Sequence, residues 1–204
     1  MELDKRGMEM EQELLGYFSD IHMALCSLIV TDEEGKELTQ EEGMRRWIGR
    51  IKEVRKASGC IFLCGNGASA AMAEHFSHDF FQNAKIRTDT CSETSHITAI
   101  SNDIGYEKVF AYRIERLISE KDLLITISSS GNSPSVIEAI KAAKEKRAFV
   151  LTLSGKKKEN LSRQMGKLNF YVPLETYGMV ESAHAVLLHS ALDLFLDEME
   201  GGRH

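Results

Sequence analysis

Residues 61–81 read IFLCGNGASAAMAEHFSHDFF: an apolar run, a Gly-Asn-Gly-Ala-Ser turn, and a helix-forming segment that carries His75, His78 and Asp79. An apolar run bounded by Gly59 and Gly65 has the length of a buried strand, and the Ala, Met and Glu residues after Ser69 favour helix. The stretch predicts a strand, a glycine loop and a helix start in succession. A loop so placed aims backbone N–H groups and the positive end of a helix at whatever lies beyond the strand. That suits an anion, above all a phosphate.

Outward from this unit the alternation continues. Apolar runs near residues 60–64, 86–90, 123–128, 149–154 and 168–172 are separated by helical patterns at 69–81, 106–118 and 133–146, with a last one over about 180–199. Parallel neighbours need a crossover helix, so the pattern predicts an α/β domain with a doubly wound, five-stranded parallel sheet. Ahead of it, Leu14, Phe18, Ile21, Leu25 and Leu28 recur at helical spacing, predicting an amphipathic helix over about residues 9–29. Residues 31–38 (TDEEGKEL) read as a polar connection. Thr39 and Glu42 then fit a capping box opening a second helix, with Met44, Trp47, Ile48, Ile51 and Val54 on one face. The expected division is a helical segment at 1–58 and an α/β domain at 59–204. The first stripe is long for a lone surface helix, which favours pairing with a second copy of the chain.

Composition narrows the function. The 204 residues, 43% hydrophobic and 27% charged, suit a globular protein, and a net charge of −6 argues against the clustered Lys and Arg of a nucleic-acid surface. The reading expects no bilayer-spanning stretch and no signal-peptide core in MELDKRGMEMEQE, hence a cytoplasmic location. Cys26, Cys60, Cys64 and Cys91 show no CxxC pair or structural-zinc spacing, and read as reduced thiols in or near the core.

In doubly wound sheets, ligands collect outside the carboxyl ends of the strands. Three of those ends are polar: Gly65-Asn66-Gly67-Ala68-Ser69, Ser128-Ser129-Ser130-Gly131-Asn132-Ser133, and Ser154-Gly155. The second is the more specific, because hydroxyls, backbone donors and a helix opening at Ser133-Pro134 occur together. Each loop alone also reads as an ordinary turn; two in one sheet favour phosphate. Gly65-x-Gly67-x-x-Ala70 with Asp89 in the next strand also satisfies a dinucleotide fingerprint, a rival that leaves the Ser loop and the histidines without a role. His75 and Asp79 at i and i+4 share one helix face and suit a metal or a proton. His78 and His96 read as ordinary surface or core histidines. The last helix sets Glu181, His184 and His189 in an apolar run, so at least one of them faces a buried or interfacial site, or is a satisfied core histidine.

At these residues the chain resembles the sugar isomerase (SIS) domain family, and within it the phosphoheptose isomerases. The likeness covers nearly the whole chain and rests on GNGASAAMAEHF, ITAISNDIGYEKVF, ISSSGNSPSVIEAI and VESAHAVLLH. It implies a flavodoxin-like three-layer sandwich. It also implies sugar-phosphate contacts at Asn66, Gly67, Ala68, Ser69, Asn102, Asp103, Ser128, Ser129, Ser130, Ser133 and Glu181. A metal site, usually zinc, is implied at His75, Asp79, Glu181 and His189, and a homotetramer with active sites between subunits. The chain departs from the family pattern at Asp79, where Glu is usual, at Glu181, where Gln is usual, and at Gly178, where an Asp is usual. Exchanging Gln for Glu adds negative charge and suits a divalent cation. Glu181 and His189 are eight residues apart, about 12 Å along an ideal helix, so one ion reaches both only at a frayed helix start or across subunits. Glu181 with His184 is the local alternative.

The reaction these features imply is aldose–ketose isomerisation of a phosphorylated sugar, such as sedoheptulose 7-phosphate, in surface-carbohydrate biosynthesis. An enediol route needs a base and an acid, roles that fall to Asp79 and His189, exchangeable with Glu181. A non-catalytic sugar-phosphate sensor or adaptor on the same fold, and a dinucleotide-binding oxidoreductase, are the competing classes.

Overall fold

The computed structural model describes residues 2–200, and side chains from residue 9 to residue 199. In chain order the elements are α1 (Glu2–Cys26), β1 (Ile29–Asp32), β2 (Glu37–Leu38), α2 (Gln40–Lys56), β3 (Cys60–Gly65), α3 (Ala68–Gln82), β4 (Arg87–Asp89) and α4 (Thr94–Asp103). They continue with α5 (Ala111–Leu117), β5 (Leu123–Ser128), α6 (Pro134–Glu145), β6 (Phe149–Gly155), β7 (Leu168–Val172) and α7 (Tyr177–Glu200). The expected helix over 106–118 is divided into a short 3-10 turn, Tyr106–Lys108, and α5, and α4 precedes it where no helix was expected.

The sheet order is β2-β1-β7-β6-β5-β3-β4. Its five parallel members are the strands expected from the apolar runs, but the sheet has seven strands, not five. The two extra ones come from the stretch read as helix end and polar connection: β1 and β2 form an antiparallel hairpin, and β1 lies antiparallel to β7. Tertiary contacts hold them there. Val30 is buried opposite Phe170, and the buried Asn169 amide donates to the Thr31 and Asp32 carbonyls. Gly43 in α2 lets that helix close on the hairpin, since a Cβ there would sit 2.6 Å from Val30 Cγ1. Thr39 caps α2 as expected, its hydroxyl accepting from the Glu42 N–H at 3.1 Å, while the Glu42 carboxylate pairs with Arg46.

Helices cover both faces, giving three layers. On one side a single core joins Trp47, Ile48, Ile51 and Val54 of α2, Phe76 and Phe80 of α3, and Val180, Leu188 and Phe195 of α7 to the sheet. On the other, Val109, Ile114, Val136 and Ile140 pack from the α5 and α6 side. The helical segment and the strands thus share one core across residue 58. Tyr177–Met199 is long and apolar enough by composition to cross a bilayer, against the expectation of no such stretch, but its apolar side chains supply that core. Cys64 and Cys91 are buried and Cys60 half-buried; Cys26 is exposed, unlike the core thiol expected. Burial pushes the Cys64 thiol up to about 12, which keeps it protonated and inert.

Candidate active site at the switch point

Strand order reverses between β3 and β5, so the crossovers leave those neighbouring strands toward opposite faces and open a crevice at their carboxyl ends. Both polar loops sit there. Gly65, the last residue of β3, has no room for a side chain, because a Cβ would lie 2.6 Å from Ser69 Cβ and 2.8 Å from the Ile127 carbonyl. Its absence lets the start of α3 close on β5. The crevice forms a cavity of about 200 Å³ lined by Asn66, Ser69, Ile127, Ser128, Ser129, Ser130, Ser133, Tyr177 and Glu181.

The lining is hydroxyl-rich and one group in it is unsatisfied: Ser129 Oγ is buried with no hydrogen-bond partner among the described residues. A buried hydroxyl left so costs free energy that a ligand or water oxygen recovers. The first turn of α6 has no side-chain cap, which leaves its positive end facing the same loop. Instead of capping, Ser133 Oγ accepts from Asn66 Nδ2 at 2.7 Å, and the same amide nitrogen donates to Ser135 Oγ at 3.0 Å. The Asn66 oxygen accepts from the Tyr106 hydroxyl at 2.8 Å. Asn102 and Asp103, at the exposed end of α4, hydrogen-bond each other at 2.8 Å and do not line this cavity. Gly67 and Ala68 are exposed at the mouth of the loop.

A second cluster lies farther along α3 and α7, which also carry Ser69 and Glu181 of the cavity. His75 Nε2 is 3.3 Å from Asp79 Oδ2, and ligand atoms of His75, Asp79 and His189 all lie within 4.8 Å of one another. Phe76 sets both rings: it is fully buried, 5.0 Å from the His75 ring and 4.6 Å from the His189 ring, centroid to centroid. Glu181 is not in this group; it lies one turn into α7 and lines the Ser-loop cavity. The eight-residue separation from His189 therefore holds within one chain. Nor does Glu181 pair with His184. His184 is fully buried, with Nε2 3.2 Å from the Ser154 carbonyl, and belongs to the packing of α7 against β6. His96 likewise contacts the Val109 carbonyl at 2.8 Å, and His78 is exposed.

Burial lowers the His184 pKa from 6.5 to about 4, so the folded protein holds this ring neutral. The unfolded chain binds the extra proton below 6.5, so stability is full above that pH and declines as pH falls toward 4. Urea unfolding at pH 7.5 and 5 should show a loss of about 2 kcal/mol from this residue. His184→Gln should flatten that part of the slope.

The dinucleotide reading fails at Asp89. Arg113 grips its carboxylate through Nε at 3.0 Å to both oxygens and through a terminal nitrogen at 2.9 Å, which occupies the acid a ribose would need.

A family model for the SIS domain matches residues 29–155, so the chain is a SIS-domain protein. Phosphoheptose isomerase 1 of Campylobacter jejuni is 39% identical over 179 residues, covering 81% of this chain and 94% of that one. The phosphoheptose isomerase of Helicobacter pylori strain P12 is 32% identical over 159 residues, covering 75% and 82%. Among solved structures, phosphoheptose isomerase GmhA of Neisseria gonorrhoeae matches with a TM-score of 0.77 and 28% identity over 91% of this chain and 99% of that one. The chain belongs to the phosphoheptose isomerase family and is an aldose–ketose isomerase.

Proposed function

We propose that the chain interconverts sedoheptulose 7-phosphate and D-glycero-D-manno-heptose 7-phosphate, for surface-carbohydrate synthesis in the cytoplasm. The observation that carries the reading is the spacing of the two clusters. Ser69 and His75 are six residues apart on α3, and Glu181 and His189 are eight apart on α7, about 9 and 12 Å of helix. A phosphate at the Ser loop and a carbonyl at the histidines are then separated by the length of an extended seven-carbon sugar, too far for a triose.

Ser128, Ser129, Ser130 and Ser133 hold the phosphate together with the α6 N-terminus, with Ser129 supplying the unpartnered hydroxyl. Asp79 takes the proton from the carbon beside the carbonyl while His189 delivers one to the carbonyl oxygen; Asp79 then returns its proton to the former carbonyl carbon and His189 recovers one from the hydroxyl that becomes the new carbonyl. Phe76 keeps the imidazole of His189 in register with that carboxylate. Two imidazoles and one carboxylate with atoms within 4.8 Å of one another are a donor set suited to zinc, so His75, Asp79 and His189 fit the divalent ion expected from the sequence. When bound, it supplies Lewis acidity toward the carbonyl. Glu181 joins that set only from another subunit. The exposed Leu14, Leu15 and Phe18 of α1 offer an apolar face for such copies, in keeping with a homotetramer.

The test is deuterium entry from heavy water at the carbon next to the carbonyl of sedoheptulose 7-phosphate, with zinc and then with a chelator. Metal-dependent exchange with an aldose product is expected. Binding without exchange in either condition would make this a sugar-phosphate-binding protein instead.

A further inference from the structure

Tyr106 lies outside every loop so far given a role, yet its hydroxyl reaches into one. It is 51% exposed, on the 3-10 turn after α4, and donates to Asn66 Oδ1 at 2.8 Å. With the phenol as donor, the amide oxygen faces Tyr106 and the amide nitrogen is turned toward Ser133 and Ser135. Both serine oxygens are thereby made acceptors. Ser135 is buried, 1% exposed, and its oxygen lies 3.3 Å from that of Ser133. Either hydroxyl can donate across that gap; with the buried Ser135 as the donor, Ser133 accepts from two neighbours. The Ser133 proton then has one direction left, into the cavity that Ser133 lines.

We infer that Tyr106 is a positioning residue that fixes the Asn66 amide and so makes Ser133 an obligate hydrogen-bond donor to the bound phosphate. A phosphate dianion offers only acceptors, so a hydroxyl whose rotor is set to donate binds it without the reorganisation a free rotor needs. The effect is specific to the anionic end of the substrate. It does not touch the proton transfer at the far cluster. The inference rests on the reading of the Ser loop as the phosphate site.

The experiment is a double-mutant cycle on Tyr106→Phe and Ser133→Ala, read by the affinity for inorganic phosphate in titration calorimetry and by KM and kcat for the sugar phosphate. Tyr106→Phe keeps the half-exposed ring and loses only the hydroxyl. It should weaken phosphate binding and raise KM by about three- to tenfold, the effect of one hydrogen bond, with kcat within twofold. The doubly substituted protein should bind no more weakly than Ser133→Ala alone, because Tyr106 acts through that serine. Additive losses would overturn the inference, as would a Tyr106→Phe protein with unchanged phosphate affinity or with an altered kcat and a normal KM. Failure of the wild-type protein to bind phosphate would overturn the reading of the loop itself, and this inference with it. Wild-type binding weakened by Ser133→Ala but untouched by Tyr106→Phe would overturn the inference alone.

Discussion

Asp79→Asn should lower kcat for the isomerisation by about 10²–10⁴-fold, the range removed when a positioned general base is lost. The substitution is nearly isosteric and the site tolerates it: the carboxylate is 20% exposed, and its neighbour 3.3 Å away, His75, is 55% exposed. The thermal midpoint should therefore move by no more than a few degrees, and a loss of activity reports chemistry rather than unfolding. Two readouts separate the roles of Asp79. Deuterium exchange measures proton abstraction directly, and zinc content after dialysis measures ligation. Lost exchange with retained zinc identifies the base. Loss of both makes Asp79 chiefly a ligand, and the base role then passes to Glu181 of a neighbouring copy, the exchange of roles that the two acids allow. An Asp79→Asn protein with wild-type exchange would remove Asp79 from the mechanism.

The exchange of roles depends on geometry that the sequence carried only in part. The glycine and serine loops were legible because each follows a short apolar run and precedes a helix, and their meeting at one crevice follows from doubly wound topology. The spacing of Glu181 and His189 was legible too, since rise per residue is a property of any helix. The hairpin of β1 and β2 was not. Glu37 and Leu38 make a strand of two residues, and the four-residue β1 is recognisable only once β7 is beside it. No local pattern encodes an edge set by a strand 137 positions later in the chain, as the pairing of Asp32 with the amide of Asn169 illustrates. Helix α4, TSHITAISND, likewise lacks an apolar stripe, and Ile100 is its buried residue. The role of Tyr106 lay hidden for the same reason, since a contact from residue 106 to residue 66 has no periodicity to announce it. For His184 the sequence left open both a core histidine and a local partner of Glu181, and only tertiary packing decides for the core.

Gly131→Ala should be the most damaging single-methyl change in the serine loop, lowering unfolding free energy by about 3–5 kcal/mol from strain plus lost buried hydrogen bonds. Gly131 has φ +64°, in the left-handed region, and a Cβ there would lie 2.0 Å from Asn160 Oδ1. Neither partner can yield freely. The Gly131 N–H donates to the Ser128 carbonyl at 3.0 Å, and its carbonyl accepts from the Ser162 N–H at 2.9 Å, so the loop is pinned on both sides. Asn160 is fully buried: its amide nitrogen donates to Ser154 Oγ and the Lys157 carbonyl, and its oxygen accepts from Ser162 Oγ and the Arg163 N–H. Making room for the methyl moves either this network or the serines that form the phosphate cavity, and the second route raises KM for the sugar phosphate more than tenfold, roughly two or more lost hydrogen bonds. Gly67→Ala is the matched comparison. Gly67 has φ +58° and ψ −125°, outside the left-handed helical well, but nothing among the described residues lies within 4 Å of its Cβ position, so that change meets backbone strain alone, about 1–3 kcal/mol. Urea unfolding of the two variants side by side decides the matter. Equal losses would mean that strain accounts for both and that Asn160 gives way without cost; the larger loss expected for Gly131→Ala shows that the buried Asn160 holds the serine loop in its binding form.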